Sequence, residues 1–404
     1  DGEWLYGHNW VTLAWLATHP VWGVIALPLR SMLYVREIDV PKLAEKYDWE
    51  FRTKHQLGVE LLTWFMEAIR VLGVEAKVWL AVDGAYATRP FLKPTLALGI
   101  VDQFQAAGLR AWGPTQQAAQ FESSKIFSQE FMDRNGIPTM QSASFDDADG
   151  AKSFAASLDG KCAVKADGLA LGKGVLICNN TDEANGAIDQ IMTDRAFGEA
   201  GSSVLIQELI TGMEVSLHAL CDGKCAKLFP SSQDHKRALD GDEGLNTGGM
   251  GAYSPVPFLS DEKLTEIADS VLDPWLAGCA AEGIDFRGML YPGVMLTDDG
   301  PKVLEFNARF GDPETQVVLP RLATPLSELL YAAATGQLSG MPRPQFRDDA
   351  CVTVVLASEG YPDSPQTGRA LTGVEAAEAV EGVHLALVAV LVQATDGKNR
   401  GFLG

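Results

Sequence analysis

Basic residues are scarce in this 404-residue sequence. It has 32 Lys and Arg against 53 Asp and Glu, which gives a formal net charge of −21 at pH 7. A surface this acidic repels a nucleic-acid backbone, which argues against broad nonspecific DNA or RNA binding. Small anionic ligands are not excluded, because a few local cations and backbone N–H groups can hold a phosphate. We therefore expect small-molecule partners and no nucleic acid.

Long apolar runs and paired cysteines are also missing. No stretch of eighteen apolar residues without charge occurs, so the sequence predicts no membrane-spanning helix, and no signal peptide is recognisable. Of the six cysteines only Cys221 and Cys225 lie close together, and no second pair has zinc spacing. This pattern predicts reduced, mostly buried thiols and a cytoplasmic location.

The composition changes near residue 95. Seven of the nine tryptophans lie at or before Trp79. Residues 1–95 carry ten basic and eleven acidic side chains, whereas the remainder carries 22 and 42. Such a contrast indicates separate domains or separate origins. After Leu98, predicted helices that end at Gly108 and Gly136 alternate with predicted strands, as in an α/β or α+β enzyme.

A glycine-rich loop follows a predicted strand in "KADGLALGKGV", residues 165–175. It places glycines on both sides of Lys173. Glycine lets backbone N–H groups approach phosphate oxygens closely, and the lysine adds positive charge. The spacing is not that of a Walker A loop. A plain hairpin that needs the glycines for its turn is the alternative interpretation.

A short hinge separates two predicted strands in "VLIQELITGMEVSLHAL". The first strand ends at Gln207 and Glu208, and Glu214, Ser216 and His218 then alternate onto one face of the predicted strand over 214–222. A backbone hinge of this kind can bind an adenine edge, and a nearby carboxylate can bind ribose hydroxyls. The alternative is a solvated strand face.

The segment "VLEFNARFGDPETQ", residues 303–316, combines charge and aromatic side chains. Strand alternation predicts Glu305, Asn307 and Arg309 on one face, with Leu304, Phe306 and Phe310 on the other. Two oxygen ligands at i and i+2 suit Mg²⁺ that is also bound by phosphates and water. Arginine adds a fork for phosphate or carboxylate. An ordinary half-buried strand is the competing interpretation.

The stretch "SSQDHKRALDGDEGLNTGGMGAYSP", residues 231–255, is polar and rich in glycine. Asp234, His235 and Lys236 precede a flexible turn over 246–251, which predicts a loop that holds a substrate. A solvated surface loop is the alternative. No Ser/His/Asp or Cys/His nucleophile arrangement is recognisable, so the common theme is phosphate, metal and positioned cations, as in phosphoryl transfer.

In order, these stretches resemble the ATP-grasp ligases and, among them, the phosphoribosylamine–glycine ligase family. The resemblance covers about residues 97–380 and includes "GPTQQAAQFESSKIFSQEFMDRNGIPT", "QDHKRALDGDEGLNTGGMGAYSP" and "LEFNARFGDPETQ". It implies an α/β (α+β) ATP-grasp core and a monomer. It also implies ATP-dependent joining of glycine to 5-phosphoribosylamine through a glycyl phosphate, in de novo purine biosynthesis. Mg²⁺ or Mn²⁺ would be the cofactor and ATP a co-substrate.

The resemblance also implies roles for individual residues. ATP would be bound by Lys125, Lys165, Gly172, Lys173, Gly174, Gln207, Glu208, Ile210 and Glu214, the last of these at the ribose. Glu305 and Asn307 would bind the metal. Arg309, Lys236 and Asp312 would be catalytic. The substrates would be surrounded by Asp234, His235, Lys236, Asn246, Thr247, Gly248, Gly249, Met250, Arg309, Asp312 and Glu314.

The implied domains are a remnant of the ligase N-terminal domain over 96–115 and an ATP-grasp domain over 116–322, with a lid at about 117–193. A C-terminal domain over 323–404 would follow, and the resemblance fades after about Val383, so we expect this domain to be incomplete. The family's Gly-Gly-Arg-Glu-His loop does not occur.

Residues 1–95 instead resemble part of a DDE insertion-sequence transposase, in "YGHNWVTLAWLATHPVWGVIALPLRSMLYVREIDVPKL" and "KVWLAVDGAYATRPFLKP". Asp83 would be one of its three metal-binding carboxylates. The other two do not occur in this stretch, so we expect no transposase activity.

Three alternative functions stay open at this point. An ATP-grasp ligase for another carboxylate is disfavoured by the stretch from Gln233 to Gly251. A nucleic-acid-handling protein led by residues 1–95 is disfavoured by the acidic balance. An inactive chimera is the third, because half of the expected phosphoribosylamine site belongs to the replaced N-terminal domain.

Overall fold

The structure, a computed structural model, describes residues 9–19, 23–34, 99–106, 108, 110–168, 174–366 and 372–383, and for 9–34 the backbone alone. Gly172 and Lys173 of the glycine-rich loop and Asp83 of the transposase-like stretch lie outside the described residues.

A two-stranded hairpin lies near the N-terminus. Strands β1 (Asn9–His19) and β2 (Gly23–Tyr34) pair antiparallel, with a register irregularity between Leu13 and Ala14. The strands contain Val, Thr and Trp, side chains that fit a pleated surface. The transposase-like interpretation of residues 1–95 stays a prediction.

Three helices precede the four-stranded sheet in the chain. They are α1 (Ile100–Ala106), α2 (Gln120–Ser123) and α3 (Lys125–Asn135). Ser124 caps α3, because its hydroxyl accepts a hydrogen bond from the Phe127 amide at 3.0 Å. Gly136 ends α3 in the left-handed conformation, with φ of +66°, and its N–H bonds to the carbonyl of Met132. The predicted helix ends at Gly108 and Gly136 are confirmed.

A four-stranded antiparallel sheet follows. It consists of β3 (Ser142–Phe145), β4 (Lys161–Ala166), β5 (Val175–Asn179) and β6 (Val204–Glu208), in the order β3-β6-β4-β5. Helices α4 (Ala148–Ser157) and α5 (Thr181–Ile188) contribute small buried side chains to a core with one face of the sheet. Val164 and Ile206 belong to that core, so alternation places Lys165 and Gln207 on the opposite face.

The next part of the chain forms a five-stranded sheet, a long helix and the strands of two smaller sheets. Its elements are β7 (Met213–Ser216), β8 (Ala219–Asp222), β9 (Ala226–Leu228), β10 (Gln233–Asp234), β11 (Arg237–Leu239), β12 (Glu243–Asn246), β13 (Gly251–Ser254), α6 (Asp261–Glu282), β14 (Arg287–Thr297) and β15 (Gly300–Asn307). Strand β14 is central, because it pairs with β15, β7 and β8, and β8 pairs in turn with β9.

The single strand predicted over 214–222 is two strands, which corrects the sequence interpretation. Leu217 and His218 separate β7 from β8, opposite Tyr291 and Pro292 of β14. Pro292 has no N–H to donate, so the ladder is interrupted there. One bond remains at this point, from the Leu217 amide to the Pro292 carbonyl at 3.2 Å.

An aromatic cluster holds α2, α3, α6 and β15 together. The ring centroid of Phe121 lies 4.8 Å from that of Phe131, 5.4 Å from that of Trp275 and 5.9 Å from that of Phe306. All four side chains are buried. Each contributes about 1.5–3 kcal/mol by leaving water, so the elements that carry the predicted phosphate and metal ligands share one firm core.

The chain then continues through α7 (Thr315–Val318), α8 (Leu326–Thr335), β16 (Cys351–Val354) and α9 (Val374–Glu378). Strand β16 pairs with β13, which also pairs with β10. All six cysteines are free thiols and four are buried, as predicted. In the part of the chain that the structure describes, no helix combines the length and apolarity needed to cross a bilayer.

Candidate active site

A cleft lies between the four-stranded sheet, helix α3 and the end of β15. It is lined by Phe121, Glu122, Lys125, Ser128, Gln129, Met132, Lys165, Leu205, Gln207, Leu304, Glu305, Phe306 and Asn307. Residues far apart in sequence thus meet in one place, and five of them are predicted site residues: Lys125, Lys165, Gln207, Glu305 and Asn307.

Lys165 is the most buried cation of the cleft. It is 7% exposed, and its Nζ donates to the carbonyl of Leu304 at 3.3 Å. Burial lowers its pKa to about 8; Lys125 and Lys236 also lower this pKa, while Glu305 and Glu214 raise it. The positive charges of Lys125 and Lys236 are thus close enough to affect Lys165. Such a concentration of positive charge suits the binding of a polyphosphate.

Lys125 lies at the first position of α3, and its Nζ contacts the carbonyl of Gly168 at 3.4 Å. The carboxylate of Asp167 accepts hydrogen bonds from the Ser124 hydroxyl at 3.1 Å and the Ile126 amide at 3.2 Å. Asp167 thus ties the start of the glycine-rich loop to the start of α3. The sequence analysis missed this residue, although it directly precedes Gly168.

The glycines of this loop differ in what the backbone requires. Gly168 has a φ of +114°, a region that side-chain-bearing residues rarely adopt, and a Cβ there would lie 3.3 Å from Cβ of Ala200. Gly174 is buried, and its carbonyl accepts the Ala166 amide at 2.8 Å. Turn geometry therefore accounts for Gly168.

The residues predicted at the adenine lie at the end of β6. Gln207 is 3% exposed, and its side-chain amide donates to Gln129 at 2.7 Å. The Glu208 amide donates to the carbonyl of Gln141 at 2.8 Å, and Ile210 is half-buried in the link to β7. Gln129 was missed, although it lies four residues after Lys125 and hence on the same face of α3.

Glu214 and Lys236 form an ion pair across the site. Burial by itself lowers the pKa of Lys236, but the carboxylates of Glu214, Asp234 and Glu305 raise it above its ordinary value. The predicted ribose carboxylate is thus paired with a predicted catalytic lysine. This pairing links a residue predicted to bind the nucleotide to one predicted to act on the substrates.

Asp234 and His235 have different environments although they are neighbours. Burial raises the pKa of Asp234 to about 6; Lys236 lowers this pKa, while Glu314 and Glu214 raise it. His235 is exposed, and its Nε2 lies 3.2 Å from the carbonyl of Leu239. Asp234 and Lys236 therefore lie close enough to Glu214 to interact with its charge, whereas His235 lies at the surface.

The segment predicted as a flexible turn is partly a hairpin. Strands β11 and β12 pair antiparallel, and Gly241 and Gly244 adopt positive φ of +72° and +82° in and near the connection. Asn246 and Gly248 are exposed. The hairpin continues into a turn held by two hydrogen bonds, Thr247 N–H to the Lys236 carbonyl and Met250 N–H to the His235 carbonyl, both 2.7 Å.

Gly249 brings this turn against the next loop. Its φ is +121°, and a Cβ at this position would lie only 2.4 Å from Cδ of Pro313. Only glycine fits such a close approach at such a φ. Asp312, the neighbour of Pro313, is exposed and accepts a hydrogen bond from the Gln316 side chain at 2.7 Å. The substrate stretch and the turn after β15 are therefore in contact.

Arg309 lies in a buried network. Its Nε donates to Glu122 Oε1 at 3.0 Å, one terminal nitrogen donates to Asn307 Oδ1 at 3.0 Å, and the other donates to the Phe310 carbonyl at 2.9 Å. The Ala308 amide donates to Glu122 Oε2 at 2.9 Å. The sequence analysis missed Glu122, because nothing local signals a partner 186 residues away.

The predicted alternation after residue 303 is correct only in part. β15 ends at Asn307, so the strand period does not extend to the residues beyond it. Phe306 packs in the main aromatic core, whereas Phe310 belongs to another cluster, 5.5 Å from the ring of Trp112. Glu305 is exposed and Asn307 is buried at 5% exposure.

Glu314 lies beneath the turn after β15 and is 1% exposed. It accepts hydrogen bonds from the Tyr291 hydroxyl and from the Ser216 hydroxyl, the latter at 3.3 Å. His218 stacks on Tyr291 with ring centroids 4.5 Å apart, and burial lowers the pKa of His218 to about 4, so this imidazole is neutral at pH 7. Glu314, predicted as a substrate contact, is thus an internal group here.

The donor set at the end of β15 fits a metal ion that is shared with a phosphate. In the described residues no three His, Cys, Asp or Glu side chains group as a metal cage. Glu305 and Asn307 offer one carboxylate and one amide oxygen, next to the lysine cluster. Mg²⁺ is commonly bound through one or two such side chains together with phosphate oxygens and water.

These features define a class of protein. Residues 123–315 match the family described as "Phosphoribosylglycinamide synthetase, ATP-grasp (A) domain". A solved biotin carboxylase complex from Campylobacter jejuni shares the fold, with a TM-score of 0.58 at 14% identity over 81% of this chain and 71% of that one. The chain has a mixed α/β ATP-grasp core, as predicted.

Relatives with higher sequence identity show the family within this class. A phosphoribosylamine–glycine ligase from Caulobacter vibrioides is 44% identical over 312 residues, 77% of this chain and 73% of the relative. The solved phosphoribosylamine–glycine ligase of Thermotoga maritima has a TM-score of 0.58 at 34% identity over 64% of each chain. This chain belongs to the phosphoribosylamine–glycine ligase family.

A further relative is much longer. The trifunctional purine biosynthetic protein adenosine-3 of Gallus gallus is 51% identical over 284 residues, and these cover 70% of this chain but 28% of that protein.

Proposed function

We propose that this chain joins glycine to 5-phosphoribosylamine at the expense of ATP, giving glycinamide ribonucleotide, ADP and phosphate in purine biosynthesis. The observation that carries the proposal is that Lys125 and Lys165 line one cleft with Glu305 and Asn307, and that the charge of Lys236 acts on both Lys165 and Glu305. Family membership supports the choice of substrates. We also propose residues 116–322 as the catalytic unit, and expect a monomer in the cytoplasm.

The first step transfers the γ-phosphoryl group of ATP to the glycine carboxylate. A bond forms between phosphorus and a carboxylate oxygen, and ADP leaves. Lys125 and Lys165 would bind the phosphates, with Gln207 and Glu214 towards the adenine and ribose. Mg²⁺ or Mn²⁺, held by Glu305 and Asn307, would neutralise charge on the phosphate oxygens. The protein contributes mainly position and electrostatic stabilisation.

The second step makes the amide. The amine nitrogen of 5-phosphoribosylamine attacks the acyl carbon, the carbon–oxygen bond to phosphate breaks, and the nitrogen loses a proton. Asp234 suits the acceptor of that proton, because its pKa of about 6 leaves it ionised yet basic at neutral pH. Lys236 beside it would hold the departing phosphate. The turn around Gly249 would keep water from the acyl phosphate.

The test is ADP release in the presence of Mg²⁺, glycine and 5-phosphoribosylamine generated in situ, with glycine omitted as the control. We expect release that depends on both substrates. Folded protein without glycine-dependent release would contradict the proposal and support the inactive chimera. Release that depends on another small carboxylate in place of glycine would instead support an ATP-grasp ligase of different specificity.

A further inference from the structure

We propose that Glu122 is a positioning residue that fixes Arg309 and Asn307, and through them the metal that accompanies ATP. The proposal rests on the metal site of the proposed function. Glu122 itself is not proposed to touch the metal or to react. Its role follows from three features of the described residues: its hydrogen bonds, its burial and its place in the chain.

The hydrogen bonds of Glu122 reach the two residues that follow the predicted metal ligand Asn307. One carboxylate oxygen accepts from the Ala308 backbone at 2.9 Å, and the other accepts from Nε of Arg309 at 3.0 Å. Arg309 passes this restraint on, because its terminal nitrogen donates to Oδ1 of Asn307 at 3.0 Å. The amide of Asn307 is therefore oriented by a chain of bonds that starts at Glu122.

Burial makes this restraint strong. The side chains of Glu122 and Arg309 are 4% and 5% exposed. Water competes little with a pair in such an environment, and removal of one partner leaves the other charge buried without its counterion. The guanidinium would then lose the bond that fixes it, and its existing hydrogen bond to Oδ1 of Asn307 would lose its fixed direction.

The place of Glu122 in the chain gives the pair its significance. Glu122 precedes by three residues Lys125, a predicted phosphate ligand at the start of α3. Asn307 ends β15 on the other side of the cleft. The Glu122 carboxylate thus fixes the start of α3, which carries a predicted phosphate ligand, relative to the end of β15, which carries the predicted metal ligands. Groups that orient a metal ligand typically change metal affinity about 10- to 100-fold when they are replaced.

The deciding experiment measures Mn²⁺ binding directly, from the electron paramagnetic resonance signal of free Mn²⁺ in the presence of β,γ-methylene-ATP. This readout needs no turnover. In Glu122→Gln, which keeps the shape but loses the charge and one acceptor, we expect the dissociation constant for Mn²⁺ to rise about 10- to 100-fold. ADP binding in the presence of EDTA should stay unchanged. Glu122→Asp, which keeps the charge but is shorter, should give an intermediate value.

Glu282→Gln is the matched control. Glu282 pairs with Arg134 at 3.1 Å between α6 and α3, so this substitution removes a Glu–Arg ion pair that is more exposed and lies away from the cleft. Its Mn²⁺ affinity should equal that of the unsubstituted protein. Circular dichroism establishes that each variant is folded, and if Glu122→Gln does not fold, Glu122→Asp decides.

Unchanged Mn²⁺ affinity in a folded Glu122 variant would overturn the proposal, since Glu122 would then serve the fold alone. An equal loss of metal-free ADP binding would overturn it as well, because the whole cleft would have changed. No nucleotide-dependent Mn²⁺ binding by the unsubstituted protein would overturn it together with the metal assignment. Loss of glycine-dependent ADP release with intact Mn²⁺ binding would contradict the ligase function alone.

Discussion

The two sides of the candidate site are held in different ways. At the end of β15, buried side chains bond to one another: Glu122 to Arg309, Arg309 to Asn307, and Tyr291 to Glu314. Across from them, the stretch from Asp234 to Met250 is largely exposed, and its turn is held through backbone hydrogen bonds. The proposed metal side is thus preorganised, whereas the proposed substrate side can adjust at low cost.

Removing a proposed metal ligand should have the largest effect on the contrast between the two sides. Glu305→Ala should lower metal-dependent ADP formation by at least about 100-fold, because a directly bound oxygen matters more than a group that only orients a ligand. ATP affinity measured at saturating Mg²⁺ checks the assignment. An affinity equal to that of the unsubstituted protein would show that Glu305 is not a ligand.

A test of the substrate side is Gly249→Ala. The added Cβ would meet Pro313 at 2.4 Å at a φ of +121°, so the turn must move away from the loop after β15. Strain of this kind costs about 1–3 kcal/mol, and we expect ADP formation to fall about 5- to 150-fold. Gly241→Ala is the control, because φ there is +72° with nothing within 4 Å of the new Cβ.

Steady-state kinetics with glycine varied would measure the effect. Equal losses in Gly249→Ala and Gly241→Ala would mean that backbone strain alone matters, and that contact between the turn and Pro313 has no functional role.

The pH dependence compares the two sides in one experiment. Asp234 is protonated as pH falls through about 6 and then cannot accept a proton, so the rate should fall on the acid side. Lys165 loses its charge as pH rises through about 8, so the affinity for ATP should fall on the alkaline side. Each limb should change activity by about tenfold per pH unit.

Profiles of kcat/KM for ATP and for glycine would resolve the two limbs. Lys165→Arg should move the alkaline limb upwards, because the guanidinium keeps its proton in this range. An alkaline limb that stays at the same pH would assign it to another group.

The smallest expected effect concerns the N-terminal segment. Deletion of residues 1–95 should leave ATP protection of the glycine-rich loop, residues 167–174, from proteolysis unchanged, because the described contacts of the cleft all come from Phe121 onwards. Time courses with trypsin, with and without ATP, measure this protection. If protection disappears, the segment is an integral part of the fold.

Local signals in the sequence predict much of this architecture. Helix α3 ends at Gly136 as predicted, and the serine that caps its start is also a local signal, because it directly precedes the helix. Strand alternation correctly separates Val164 and Ile206 in the core from Lys165 and Gln207 in the cleft. These features depend only on residues that are neighbours in the chain, so a reading of the sequence can find them.

Other features depend on partners that are remote in sequence. The break between β7 and β8 comes from Pro292, about seventy-five residues away, as the contact from Ser216 to Tyr291 illustrates. Glu122 acquires its role only when β15 folds beside α2. In the sequence, Asp167 does not differ from any other loop carboxylate, because its contact with Ser124 forms only when the chain folds. Tertiary contact decides each of these.

The ion pair between Glu214 and Lys236 has a consequence for how the two ligands would affect each other's binding. If ribose hydroxyls engage Glu214, the lysine is released towards the second substrate, and if a phosphate engages Lys236, the carboxylate is released towards the nucleotide. Each ligand would then lower the cost of accommodating the other by the same factor, since such coupling is reciprocal. A single salt bridge would make the site cooperative, so that either ligand alone binds less tightly than the two together.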